Sequence, residues 1–216
     1  EPNVKESPGA LRDLQVILWV AKAAGLANSW SQLAVRGLIT REEARQLMEK
    51  ERAFKDIRIR LHLQTNRRED RLVFDVQTAI AETFGLTSTG AGLEVRRASE
   101  YLMQRYYWAA KTVTQLNTIL LQNIEAHLFP TPSQAVPINP RFNEVGGFID
   151  IAADDTFETS PCAVLEIFVL MTERGDIKGM TARTMRALWH ARTLIDDAFR
   201  ANPEHRALFL RILQAP

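Results

Sequence analysis

The chain has 216 residues, with 27 Lys and Arg against 26 Asp and Glu, for a formal charge of +1. Hydrophobic residues make up 46% and charged residues 25%, the balance of a globular chain long enough for one large domain or two small ones around a sizeable core. Near-neutral charge excludes the strongly basic footprint of a nucleic-acid binder, and the single cysteine, Cys162, excludes an internal disulfide framework and fits a reducing compartment.

The longest mainly apolar run, Leu14 to Leu26, is interrupted by Gln15 and Lys22 and is too short and too polar to cross a bilayer. No secretory signal is visible. The start at Glu1 and the Gln214-Ala215-Pro216 end read as an excised piece of a longer chain.

Residues 1–9 are polar and turn-like, and Ser7-Pro8 predicts a capped helix start. That helix is expected to run to about Ala24, with Gly25 as its stop. Leu11, Leu14, Leu18 and Ala21 form one stripe, and Val16, Ile17, Trp19 and Val20 fill the other side, which predicts a helix buried all round. Trp30 to Val35 suits a short helix closed by Gly37. Thr40-Arg41-Glu42-Glu43 is a capping-box pattern opening a helix to about Gln64, with Ala44, Leu47, Met48, Phe54, Ile57 and Leu61 as its stripe. After a connection at 65–73, Asp75 to Phe84 suits a short helix stopped by Gly85, and Leu86 to Gly92 a loop. From Leu93 to Leu128 there is no Pro or Gly, and the apolar period from Val95 to Ile124 is helical. Such a helix is roughly 50 Å long and forms the spine of the expected fold.

Pro130, Pro132, Pro137 and Pro140 then predict an extended connection. Phe142 to Ile151, around Gly146-Gly147, predicts a β-hairpin. Ser160-Pro161 precedes a helix from Ala163 to Met171. Thr181 to Phe199 reads as one helix, and Asn202-Pro203-Glu204 opens the last, with Leu208, Ile212 and Leu213 inward. The fold class is mainly α: a multi-helix bundle with one long central helix and one small β-hairpin. Three stretches are expected, a helical region at 1–128, a Pro-rich connection with the hairpin at 129–160, and a C-terminal helical part at 161–216.

No self-contained catalytic constellation emerges. His62, His127, His190 and His205 have no adjacent Asp and no metal-binding spacing, so packing or surface roles are expected of them. Cys162, near a helix start, reads as a small apolar residue. Glycine-rich nucleotide loops are absent from the sequence. The carboxylate pairs have plainer uses than metal binding: Glu42-Glu43 in the capping box, Asp154-Asp155 in a turn, Asp196-Asp197 on a surface helix.

Several strings carry a resemblance. Glu1-Pro2-Asn3-Val4-Lys5-Glu6-Ser7-Pro8-Gly9-Ala10-Leu11-Arg12-Asp13 closely resembles the segment after the nucleotidyltransferase core in the bacterial bifunctional uridylyltransferase/uridylyl-removing enzymes of protein PII. Ile57-Arg58 with Leu61-His62, Arg67, Asp70-Arg71-Leu72, Phe74-Asp75 and Gln77 follow that family's helical region in order. So do Tyr106, Leu116-Asn117, Leu120-Leu121-Gln122, Ile149-Asp150, Phe157, Pro161, His190-Ala191-Arg192, Phe209-Leu210 and Ile212-Leu213. Each string is weak alone; the ordered series, over essentially the whole chain, is specific.

The resemblance implies a modular parent, with a nucleotidyltransferase core, this helical region, an HD phosphohydrolase domain and two ACT domains. That parent would transfer UMP from UTP to a tyrosine of PII when glutamine is low and remove it when glutamine is high. Mg²⁺ and UTP would belong to the parent, with no cofactor held by this stretch alone. The implied partners are PII and the adjacent nucleotidyltransferase and HD domains, with no nucleic acid or membrane, in the bacterial cytoplasm. The catalytic Gly-Ser and paired Asp motifs belong upstream and the HD residues downstream. Where the family usually has Gly-Gly, this chain has Gly9-Ala10; with Ser7 as cap, Ala10 is expected inside the first helical turn, where Ala is favourable.

Two candidate sites follow. Residues 1–13 are expected at the edge of the parent's nucleotide site, with Lys5, Arg12 and Asp13 as candidates beside free N–H groups at a helix N-terminus. The plainer alternative is a capped helix with Lys5 in solvent and Arg12 and Asp13 in surface or interface pairs. The Arg67-Arg68-Glu69-Asp70-Arg71 run, with His62, is a candidate junction: either a contact with PII or the HD domain, or a charged connection between helices worth little in stability. Two other whole-chain readings are a non-enzymatic helical interaction module and the related glutamine-synthetase adenylyltransferase, whose corresponding segment usually lacks the Glu-Pro-Asn start.

Overall fold

A computed structural model of the chain describes residues 1–89, 97–130 and 134–215. Two compact units divide it, Glu1–Ile124 and Glu125–Pro216.

The first unit is helical among its described residues: α1 (Leu11–Ala23), α2 (Trp30–Val35), α3 (Arg41–Thr65), α4 (Phe74–Thr83) and α5 (Ala98–Leu128), whose last turn lies in the second unit. The capping box of α3 is complete. Thr40 Oγ1 accepts the Glu43 N–H at 3.1 Å, and the Glu43 carboxylate accepts the Thr40 N–H at 2.7 Å. Its stripe buries Ala44, Leu47, Phe54, Ile57 and Leu61, and Asn66 ends the helix in the left-handed region. Phe54 meets Tyr106 of α5 edge-on, with centroids 5.4 Å apart. From Ala98 onward the expected α5 stripe is buried; Val95 and the expected start at Leu93 lie outside the described residues.

Two expectations for α1 are corrected. The helix begins at Leu11 rather than at Pro8, because Gly9 has φ +76° and Ala10 is extended at φ −90°, ψ −165°. Ala10 is therefore the cap position, not part of the first turn. Nor is α1 buried all round: Leu11, Leu14, Ile17 and Ala21 face the core, while Val16, Trp19 and Val20 are exposed. A period of 3.6 turns one stripe toward a core on one side, and the second apolar face stays in solvent.

The second unit contains β1 (Val136–Pro137), β2 (Phe142–Val145), β3 (Phe148–Ile151), α6 (Thr156–Thr159), α7 (Ala163–Glu173), β4 (Gly179–Met180), α8 (Ala182–Ala191), α9 (Asp197–Ala201) and α10 (Pro203–Leu213). The strands form one sheet in the order β1-β2-β3-β4, antiparallel except for the parallel β3–β4 pair. The expected hairpin is β2–β3. Gly146 and Gly147 both have positive φ, as the two-residue turn between twisted strands demands. Phe142, Ile149, Ile151, Phe157, Ala163 and Ile167 form the core of this unit.

The single helix expected over Thr181–Phe199 is two. After α8 the chain makes a 3-10 turn at Arg192–Leu194, and Asp196 starts α9 by accepting the Phe199 N–H at 2.7 Å. The Asp196-Asp197 pair thus begins a helix rather than decorating one. Asn202 caps α10 as expected, but no residue of α10 is fully buried and Leu213 is 65% exposed, against the inward position expected of it.

Candidate functional site

Residues 1–13 fold into a braced loop. Asn3 Oδ1 accepts the N–H groups of Lys5 and Glu6 at 2.9 and 2.8 Å, an Asx turn that reverses the chain. Ser7 Oγ accepts the Asn3 N–H at 2.8 Å, so the hydroxyl expected to cap α1 serves the loop instead. Asp13 Oδ2 accepts the Gly9 N–H at 2.6 Å. The Leu11, Arg12 and Asp13 N–H groups go to the carbonyls of Val4, Lys5 and Ala10. The start of α1 therefore does not present these donors to a ligand; they are used inside the loop.

The loop is anchored on two sides. Gly9 packs so closely on α5 that a Cβ there would stand 2.1 Å from the Ala110 carbonyl oxygen. The Tyr106 hydroxyl donates to the Asn3 carbonyl at 3.2 Å. On the other side, the Val4 N–H donates to Asp70 O and the Leu72 N–H to Pro2 O, both at 2.8 Å, around an antiparallel Asn3–Arg71 bridge. The two candidate regions, distant in sequence, are thus one structure.

Of the nucleotide-site candidates, Lys5 and Arg12 converge on Glu6. Arg12 donates Nε and Nη2 to its carboxylate at 3.2 and 2.9 Å, and Lys5 Nζ lies 3.1 Å away. Hydrogen bonds from Arg12 and then Lys5 hold the Glu6 carboxyl down at about 2. Arg12 also lies over the Trp19 ring, 5.7 Å from its centroid. Glu1, Asn3, Glu6, Ser7, Pro8 and Arg71 line an open groove of about 560 Å³ beside this cluster.

The junction candidates divide. Asp70 accepts from Arg58 Nε at 2.6 Å, and His62 Nε2 lies 3.2 Å from the same oxygen. Burial pushes the Asp70 carboxyl up, but the bonds and charges of Arg58 and His62 outweigh it and leave it below the usual range. Arg67 pairs with Glu69 at 2.8 Å, and Glu69 also accepts the Arg71 N–H at 2.9 Å. Arg71 lines the groove.

Sequence reasoning missed Glu6, Arg58 and Tyr106 as members of this site. Arg58 and His62, one turn apart on a helix, share a face, and that spacing was available as a signal. The Glu6–Arg12 pair spans a chain reversal with no periodic spacing. The arrangement offers cations and a groove but no nucleophile with an adjacent base. Among the described residues, no three of His, Cys, Asp and Glu gather to hold a metal.

The model of the family described as GlnD PII-uridylyltransferase matches residues 1–121. The chain belongs to this family. A second model, the uridylyltransferase GlnD third domain, matches residues 142–216. Proteins named bifunctional uridylyltransferase/uridylyl-removing enzyme from Bordetella avium and Cupriavidus pinatubonensis are each 55% identical over 217 residues, and one from Burkholderia pseudomallei is 55% identical over 218. All of this chain is covered, but it spans only about a quarter of the length of these relatives. No solved structure matches it. Among the described residues, no helix is long and apolar enough to cross a membrane.

Proposed function

We propose that the chain is the helical middle region of a bacterial cytoplasmic enzyme that attaches UMP from UTP to protein PII and removes it again. In this reading, residues 1–128 follow and brace the nucleotidyltransferase core, and the second unit, whose core includes the hairpin at 142–151, leads toward the HD domain. The observation that carries the reading is 55% identity over the whole chain to relatives bearing both activities in their name. Both matching family models are uridylyltransferase models, which favours it over the adenylyltransferase and over a free-standing module.

The loop at 1–13 forms the edge of the nucleotide site, with Lys5 and Arg12 as the phosphate-facing cations and Asp13 holding the loop through Gly9. Glu6 keeps the two cations together at the surface. Exposed ion pairs of this kind are weak, so a phosphate can replace the carboxylate at little cost. Mg²⁺ is supplied with UTP and held elsewhere in the parent, and this chain takes no step through it.

The test is Lys5→Ala and Arg12→Ala in the full-length enzyme. Each is expected to raise the apparent KM for UTP about fivefold, corresponding to ~1 kcal/mol for a charge-assisted contact at a partly wet site, with uridylyl removal unchanged. If neither variant changes UTP affinity or the uridylylation rate, the assignment of the loop fails.

A further inference from the structure

Asp70 lies in the connection between α3 and α4, where three pieces of the first unit meet. Its carboxylate is held from α3 by Arg58, which donates Nε to Oδ1 at 2.6 Å and Nη2 to Oδ2 at 3.3 Å, and by His62 at 3.2 Å. Its main-chain carbonyl accepts the N–H of Val4 at 2.8 Å. Val4 is fully buried, and its own carbonyl accepts the Leu11 N–H at 3.3 Å, beside the Lys5 carbonyl that accepts the Arg12 N–H at 2.8 Å. Hydrogen bonds therefore link one face of α3, through Asp70 and Val4, to Leu11 at the start of α1, and the next residue along the loop, Lys5, receives Arg12.

We propose that Arg58, Asp70 and His62 form a positioning clamp for the N-terminal loop, setting where Lys5 and Arg12 stand. The inference rests on the reading of that loop as the edge of the nucleotide site, and Asp70 is a positioning residue that touches no substrate. The connection has no regular structure between Asn66 and Val73 apart from the Asn3–Arg71 bridge, so on this side, opposite the Tyr106 contact with Asn3, residues 2–4 take their placement from the connection. Arg58's planar fork fixes the Asp70 carboxylate in both position and orientation, which a single ammonium contact does not. A binding group displaced by about 1 Å loses much of its effect, which makes such a support consequential without any contact to the ligand.

The experiment uses the full-length enzyme with Asp70→Asn, Arg58→Lys, Lys5→Ala and the double variant Asp70→Asn/Lys5→Ala. UTP kinetics, uridylyl removal and hydrogen exchange of the peptide spanning residues 1–13 are measured on each. Asp70→Asn is expected to raise the apparent KM for UTP at least threefold, with kcat and uridylyl removal within twofold of the parent. Exchange in the 1–13 peptide should be at least tenfold faster. The double variant should be less than multiplicative, because a loosened loop has already misplaced Lys5. Arg58→Lys keeps the charge but loses the fork, and should move the same quantities in the same direction by a smaller factor, covering the case in which Asp70→Asn fails to fold. The clamp is overturned if exchange in the peptide does not change, or if KM stays put in Asp70→Asn while Lys5→Ala raises it; the second result leaves the nucleotide reading intact. An equal fall in both activities assigns the cluster to general stability and also overturns it. Unchanged KM in every variant, Lys5→Ala included, removes the nucleotide reading and the clamp together.

Discussion

Gly9 shows how one backbone angle organises a site. At φ +76° it turns the chain from the Asx turn into α1, and it brings the backbone against Ala110 and Thr114 of α5. Any side chain there meets two obstacles: the left-handed conformation itself, about 1–2 kcal/mol, and a carbonyl oxygen at 2.1 Å that cannot rotate away. Gly25, at φ +67°, would have nothing within 4 Å of an added Cβ and meets only the first. Gly25→Ala is therefore expected to lower stability by about 1 kcal/mol and Gly9→Ala by clearly more. Urea unfolding of the full-length protein checks this; equal losses would mean that the loop is not seated on α5. The neighbouring Ala10, extended at negative φ, carries no such strain.

Among the elements, β3 and α8 are joined by a small polar lock. The fully buried Thr184 accepts the Ile151 N–H through Oγ1 at 2.9 Å, while Thr181 caps α8 and donates to Asp150 at 2.6 Å. Arg183 bridges Asp150 and Asp154 outside it. Thr184→Val keeps the shape but strands a buried N–H, and about 1–3 kcal/mol should be lost, visible as a lower unfolding midpoint. Thr184→Ser retains the acceptor and should recover most of that loss. The elements most legible in the sequence were those whose signals are local. The capping box fixed the start of α3, the Gly-Gly turn revealed the hairpin, and Asn202-Pro203 opened α10. Two-residue β4 carries no such signal, because its extended shape comes from pairing with β3. The break after α8 has neither Gly nor Pro, and the Asp196 side chain makes it. At the candidate site the cations were legible, but their partners were not. Ser7-Pro8 is a real turn signal whose hydroxyl serves the loop rather than the helix, and Asp70 reaches Arg58 only once α3 and the connection have folded.

At the scale of the molecule, each unit carries its own core, and the two clusters of buried side chains share no residue. Leu47→Ala in the first and Phe157→Ala in the second each remove a fully buried side chain, and should cost roughly 2–5 kcal/mol. Hydrogen exchange is expected to accelerate most in the unit that carries the change; uniform acceleration across both would contradict the division. The parallel pairing of β3 with β4 also has a consequence during synthesis. β2 and β3 leave the ribosome as an adjacent pair, but the strand that covers the other side of β3 arrives only after α6 and α7 have been made. Until then the nascent chain carries an uncovered row of main-chain donors and acceptors beside an apolar face, the kind of surface that recruits other strands. That edge of β3 closes only when Gly179 and Met180 have themselves emerged and paired with it.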